Sequence, residues 1–405
     1  MVKRRYPRWS SFAPMVRFRR PRLTRRSRLE GLSTIEDLRQ FSSRRVPRSV
    51  FDFVDGAAEQ EVSHLRSREA FGRVEFLPRV LRDVSEVRTG SVVLGRKVAY
   101  PLILAPTGFT RFMHHAGEVA VARSAAAAGV PYVLSTMGTT APRTLAQEVP
   151  NGDNWFQLYL WQDRKASAQL LRETADAGYE TLVLTVDTPV AGARLRDVRN
   201  GMTIPPSLSA RSVLDMARFP RWWWNLLTTE PLAFASLSST GGTVADMVNR
   251  VFDPGATFAD LDRIRELWPG TLVVKGVQTP EDAQAVVSSG ADAIVVSNHG
   301  GRQLDRSSTP IEQLPAIVAA VGGEAEVYVD GGITRGADVV ACLAMGATAC
   351  LVGRAYLYGL MAGGEAGVDR ALTIFHSEIE RTLRLLGATD VDGIEAESVR
   401  MRREH

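Results

Sequence analysis

Between residues 101 and 354 short apolar runs recur, and each is cut off by small or polar residues. The runs are 101–108, 132–137, 155–160, 181–187, 272–277, 293–298, 326–331 and 349–354. Most are rich in β-branched residues and too short for helices, and between most of them lie helical patterns such as 117–129, 165–177 and 280–289. Eight strands alternating with helices predict an α/β fold, a (β/α)8 TIM barrel in preference to a doubly wound sheet. Ahead of it, Ser33-Thr34-Ile35-Glu36-Asp37 predicts a helix start and 47–56 a second helix, which together form an N-terminal helical extension. Residues 74–93 predict irregular structure with short strands.

One connection breaks the rhythm. From Asp187 to the helix near Thr257 the chain runs about 70 residues, far more than a βα loop needs. Strand four is therefore followed by a long insertion, 188–256. It contains Arg221-Trp-Trp-Trp-Asn-Leu-Leu227, and three adjacent tryptophans do not fit one buried helix face. Tryptophan beside arginine suits a membrane-water interface; packing of the insertion onto the barrel or a neighbouring subunit is the alternative reading.

Charge is concentrated at one end. Residues 3–28 hold Lys3 and ten arginines with no acid, although the whole chain is only +4, so the remainder is net acidic. Residues 1–30 are read as a flexible basic arm, 31–390 as the barrel and 391–405 as a C-terminal tail. Such an arm suits an anionic surface, but no nucleic-acid-binding fold accompanies it. No segment offers the roughly 20 continuous apolar residues of a spanning helix. Two cysteines, Cys342 and Cys350, argue against a disulfide framework and fit a reducing cytoplasm.

In a barrel of this kind chemistry is assembled from the carboxyl ends of several strands. Those ends read Thr107 and Gly108, Ser135 and Met137, Gln157 and Tyr159, Thr185 and Asp187, Lys275, Ser297 and His299, Asp330, Gly331 and Gly332, and Gly353 with Arg354. Almost all carry hydrogen-bonding groups. The stretch Ser297-Asn-His-Gly-Gly-Arg-Gln-Leu-Asp305 offers a base in His299 and a carboxylate-binding fork in Arg302. The glycines and arginine after strands seven and eight suit a phosphate group. No histidines, cysteines and carboxylates stand at metal-ligand spacing, so no metal is expected.

These residues resemble the FMN-dependent 2-hydroxy acid dehydrogenases and oxidases. The resemblance rests on Ser297 to Asp305 and on Ala105-Pro-Thr107, Phe156-Gln-Leu-Tyr159, Leu184-Thr-Val-Asp-Thr-Pro189, Val274-Lys-Gly276, Asp330-Gly-Gly332 and Val352-Gly-Arg354. Val190-Ala-Gly-Ala-Arg-Leu-Arg-Asp197 and the insertion make it most similar to the quinone-linked L-lactate dehydrogenase branch. It implies FMN as cofactor and oxidation of an L-2-hydroxy acid to the 2-keto acid. His299 would be the general base, oriented by Asp187, with Tyr159 on the substrate hydroxyl. Arg302 and Arg194 would grip the carboxylate, and Phe53 and Met137 would border the substrate. Lys275 would stand by the flavin N1 and O2 edge. Thr107, Gly108, Ser135, Gln157, Thr185 and Ser297 would line the flavin, and Asp330, Gly331, Gly332, Gly353 and Arg354 would hold its ribityl phosphate.

The resemblance further implies quinone or another electron acceptor, a cytoplasmic protein peripheral on the inner face of the cell membrane, and a homo-oligomer, commonly a tetramer. A soluble, peroxide-forming oxidase is the competing reading, which Gly108 in place of alanine disfavours. There are departures. Phe53 stands where the family usually has tyrosine, Met137 where glycolate oxidase has tryptophan, and Thr334 replaces an arginine of the phosphate loop. Phe53 also motivates a reading of altered substrate or lost activity.

Overall fold

The computed structural model describes residues 6, 9–16, 24–202, 209–236 and 252–402. Its centre is a closed barrel of eight parallel strands: β1 Leu102–Leu104, β2 Tyr132–Ser135, β3 Asn154–Tyr159, β4 Thr181–Thr185, β5 Thr271–Val277, β6 Ala293–Val296, β7 Glu326–Val329 and β8 Ala349–Val352. Each apolar run of the sequence supplies one strand. Both faces are covered, which is why the runs are continuous rather than alternating. On β4, for example, Val183 points into the lumen with Ile103, Val133, Trp155, Val273, Val295, Tyr328 and Leu351, whereas Leu182 and Leu184 face the helices.

The amino end of the barrel is stoppered by a hairpin, Ser91–Val93 with Arg96–Val98. Val93 packs into the lumen and the Leu94 N–H donates to the Glu326 carboxylate at 2.9 Å. A cavity opens at the carboxyl end. There the register aligns the polar residues, with Ser135 opposite Gln157 and Tyr159 opposite Thr185, which is itself opposite Lys275. The β5–β6 pairing slips between Lys275 and Val277.

The N-terminal extension borders that open end. Helix Ile35–Ser42 begins with the reciprocal Thr34 and Asp37 cap, and helix Arg48–Asp55 follows. Among the helices beyond those the pattern predicts, two pack on the barrel's helices and turns. Val62–Gly72 has no apolar stripe, yet it packs against the turn at His299. Glu365–Leu386 packs on helices Arg354–Gly363, Gly336–Ala344 and Gly117–Ala128.

The insertion forms helices Leu195–Arg199, Ala210–Ala217 and Pro220–Leu227; residues 203–208 and 237–251 lie outside the described residues. It divides the tryptophans. Trp222 turns inward, edge-on to Phe112 at 5.8 Å, while Trp224 is 69% exposed. Near the C-terminus Val399–Met401 pairs antiparallel with Val74–Phe76. Of the basic arm only residues 6, 9–16 and 24–30 are described, including the helix Arg25–Leu29 with Leu29 buried; the flexibility read for the others lies outside the described residues. Cys342 and Cys350 are free and buried.

Candidate active site

A cavity of roughly 1480 Å³ opens at the carboxyl ends of the strands, larger than the 300–1,000 Å³ or so typical of a small-molecule pocket. Thr107, Gly108, Met137, Tyr159, Thr185, Lys275, Asp330 to Gly332, Gly353 and Arg354 line it, joined by His299, Arg302, Arg194 and Phe53. Ser135, Gln157 and Ser297 lie just behind, fully buried. Residues scattered over some 300 positions of sequence thus share one wall, as closure of the barrel requires.

The His299 ring is held by Asp187. His299 Nδ1 lies 2.9 Å from Asp187 Oδ1, which leaves Nε2 as the nitrogen available to the cavity. His299 has φ of 56°, a left-handed conformation rare for a side chain with a Cβ, and Gly300 and Gly301 continue it at 63° and 73°. Hydrogen bonds fix the turn: the His299 N–H donates to Ser297 Oγ at 3.0 Å, and the Gly301 N–H to Asn298 Oδ1 at 3.2 Å. Burial would raise the Asp187 carboxyl, but His299 and then Lys275 more than offset this and hold it below the usual range. Gly276 makes room for it, since a Cβ there would lie 2.7 Å from Asp187 Cβ and Cγ.

The cations are unequally employed. Arg302 Nη1 donates to the carbonyls of Phe53 at 2.9 Å and Gly56 at 3.0 Å, its guanidinium lies 5.4 Å from the Phe53 ring centre, and it forms no ion pair among the described residues. Burial, then Arg194 and Arg354, push its pKa well down. Arg194 Nε is buried with no hydrogen-bond partner among the described residues. Lys275, by contrast, bonds Ser297 Oγ and Asp330 Oδ2, each at 2.8 Å. Burial would lower its pKa, but Asp330 and Asp187 raise it overall and keep it protonated. Burial, then Asp187, raises the Tyr159 hydroxyl and keeps it a donor.

The other strand ends form a polar rail. Gln157 accepts at Oε1 from Ser135 Oγ at 3.0 Å and donates from Nε2 to Thr185 Oγ1 at 3.1 Å. Thr107 Oγ1 lies 2.5 Å from the Tyr356 hydroxyl. Gly108 sits so close to Met137 that a Cβ would meet Met137 Cβ at 2.8 Å, so the two departures at these positions form one contact. Gly331 and Gly332 have φ of 88° and 84°, a conformation that lets backbone come close to a ligand. Arg354 donates to the carbonyls of Val54, Gly300 and Gly56 at 2.8–3.0 Å. It therefore braces the His299 turn against the N-terminal helices.

The sequence reading missed His64 and Arg68, which reach the cavity from Val62–Gly72. His64 is kept neutral, its pKa pushed down to about 3 by burial and then by Arg354. Arg68 donates to the Gly332 carbonyl and pairs with Asp338 at 3.0 Å. It secures the loop in which Thr334 stands. A helix without an apolar stripe carries no signal for either residue.

The pattern of the FMN-dependent dehydrogenases matches residues 42–401. The chain belongs to this family. Among relatives of this FMN-dependent dehydrogenase, a proposed L-lactate dehydrogenase of Mycobacterium tuberculosis is 54% identical over 99% of this chain and 97% of its own. The (S)-mandelate dehydrogenase of Pseudomonas putida is 39% identical over 90% and 93%. The crystal structure of the monotopic membrane protein (S)-mandelate dehydrogenase superposes with a TM-score of 0.88 at 39% identity, over 92% of this chain and all of that one. The cavity suits FMN on its own terms. Among the described residues Asp330 Oδ1 is buried without a hydrogen-bond partner, and Lys275, kept protonated by Asp330 and Asp187, stands on the same wall.

Proposed function

We propose that this FMN-dependent dehydrogenase oxidises an L-2-hydroxy acid to the 2-keto acid and passes the electrons to quinone at a membrane surface. One observation carries the reading: a histidine held by a carboxylate faces the same cavity as a half-buried guanidinium with no anionic partner among the described residues. Arg302 and Arg194 take the carboxylate, since a guanidinium fork matches it bidentately. Tyr159 hydrogen-bonds the hydroxyl and aims it at His299. His299 Nε2 takes one of the two protons lost from the C2–H and O–H groups, the other hydrogen leaves towards the flavin with the two electrons, and the C2–O bond becomes a carbonyl. Asp187 stabilises the resulting imidazolium and prevents the ring from turning. Bound FMN supplies the acceptor of the two electrons. Lys275 and the rail of Thr107, Gln157 and Thr185 would hold its ring, and Lys275 opposes the negative charge of the reduced form. The Asp330 to Gly332 loop, Gly353 and Arg354 would hold its tail.

Anaerobic addition of an L-2-hydroxy acid to the purified holoenzyme should bleach the flavin absorbance, and a soluble quinone should restore it without peroxide. Stoichiometric peroxide in air, with no quinone reduction, would favour the oxidase reading. The membrane reading draws on the exposed face of the insertion, where Leu214 and Trp224 are each 69% exposed beside Arg218 and Arg221. No helix among the described residues is long and apolar enough to cross a membrane. Leu214→Ser with Trp224→Ser should reduce sedimentation with anionic vesicles; unchanged sedimentation would refute the assignment.

A further inference from the structure

Across the cavity from Asp187 the wall is made of rings. Phe53 stands edge-on to Phe112 with centres 6.1 Å apart, and Phe112 meets Phe109 at 5.8 Å and Trp222 at 5.8 Å. Phe109 in turn meets Phe234 at 5.1 Å. The polar atom of Trp222 is already used, because its Nε1 donates to the Phe112 carbonyl at 2.9 Å. The five side chains therefore present carbon to the cavity. Phe53 ties this wall to the chemistry, since its ring lies 5.4 Å from the Arg302 guanidinium.

A carboxylate on Arg302 places the substituent of its own Cα against that ring. A methyl group would leave most of the wall facing water or a void, which close-packed apolar surfaces do not favour. A tyrosine hydroxyl at position 53 would reach towards the carboxylate; phenylalanine extends the apolar wall to the edge of the anion site instead. We propose that the substrate carries a bulky apolar side chain, of butyl size or larger or an aryl ring, received by Phe53, Phe109, Phe112, Trp222 and Phe234. The inference rests on 2-hydroxy acid oxidation at His299 and names the substrate class for it. A lipophilic acceptor shares the chemistry of this wall, but it meets the site only after the flavin is reduced, so the two are separable in time.

The test is anaerobic flavin reduction of the holoenzyme, before any acceptor is added, by L-lactate, L-2-hydroxybutyrate, L-2-hydroxyhexanoate and L-3-phenyllactate. The second-order rate constant for bleaching should rise roughly fourfold per added methylene through the hexanoate, the value expected for burying a CH₂ group. Phenyllactate should exceed lactate by a larger factor. Lactate reacting as fast as the others or faster would overturn the proposal. Trp222→Ala should flatten the slope to less than about twofold per methylene, and an unchanged slope would count against the wall. Acetate, butyrate and hexanoate, which cannot be oxidised, should perturb the flavin spectrum with dissociation constants that fall with chain length. If no hydroxy acid bleaches the flavin, the oxidation reading fails, and this titration still decides the wall, since constants independent of chain length would overturn it.

Discussion

His299 shows how much a single backbone conformation contributes. Its left-handed φ of 56° turns the ring out of β6 and onto Asp187, and the two following glycines and the Ser297 hydroxyl hold the turn. If His299 is the proposed base, His299→Asn should lower the rate of anaerobic flavin reduction about 10²- to 10⁴-fold, with FMN content unchanged by absorbance. A rate within tenfold of wild type would remove His299 from the base role. Phe53 is the converse case, a residue whose importance lies in a missing atom. Phe53→Tyr should return a hydrogen bond to the carboxylate, worth about 1–3 kcal/mol in a buried site. The expected result is an apparent affinity for short hydroxy acids improved about tenfold or more, measured from the concentration dependence of flavin bleaching. No improvement would mean that the ring edge does not face the carboxylate. His299 and Arg302 stood out in the sequence because each is a polar type at the end of an apolar run, whereas Phe53, within the helix Arg48–Asp55, stood out only through the family resemblance. His64 and Arg68 did not stand out, because nothing local marks the inner side of their helix.

At the level of elements, the slip between β5 and β6 links two strands to one function. Gly276 has φ of 116° and lies where a Cβ would touch the side chain and backbone of Asp187. Lys275 and Asp187 can therefore approach the cavity from adjacent strand ends without clashing. Gly276→Ala should displace Asp187 from His299 and slow flavin reduction by about 10²-fold, the scale expected when a catalytic group moves by an ångström. Unaltered circular dichroism and FMN content would show the barrel intact, and a rate within twofold of wild type would refute the role. The insertion is an element of divided use: Trp222 reaches Phe112 and the cavity, while Trp224 faces outward. The packing reading of the tryptophan run holds for Trp222, and the outward direction of Trp224 follows because a helix sends adjacent residues in directions about 100° apart.

On the scale of the molecule, the N-terminal helices, the insertion and the barrel are fastened at Asp55. Its carboxylate accepts from Arg39 Nε at 2.5 Å, Arg196 Nη1 at 3.0 Å and the Tyr358 hydroxyl at 2.9 Å. Burial would raise its pKa, but Arg39 first, then Tyr358 and Arg196, bring it down to about 2. The folded value lies below that of the unfolded chain, near 3.9. The stabilisation, about 2 kcal/mol, is therefore fully present above the unfolded value and is lost as pH falls through the folded one. Asp55→Asn should lower the thermal midpoint at pH 7 and flatten its decline between about pH 4.5 and 2.5. A variant whose midpoint declines as steeply as that of wild type over this range would show that Asp55 is not the acid-sensitive fastener.

Much of the architecture follows from local rules. Eight buried runs separated by helical stretches determine a closed parallel barrel, because each run needs both faces covered and each helix covers one of them. The chemical types at the strand ends, His299, Arg302, Lys275 and Asp330 among them, followed from the sequence because they interrupt apolar strands. The tertiary structure alone decided which of those groups are already satisfied and which remain available. Lys275 is paired with Asp330, Gln157 joins Ser135 to Thr185, and among the described residues Arg302 has only carbonyls and a ring for partners. It also decided what faces them, since Phe53, Phe112, Trp222 and Phe234 lie far apart in sequence and meet only through packing. Hydrogen bonds and ring contacts depend on distances between segments, and distances between segments are set by closure of the barrel rather than by any pattern along the chain.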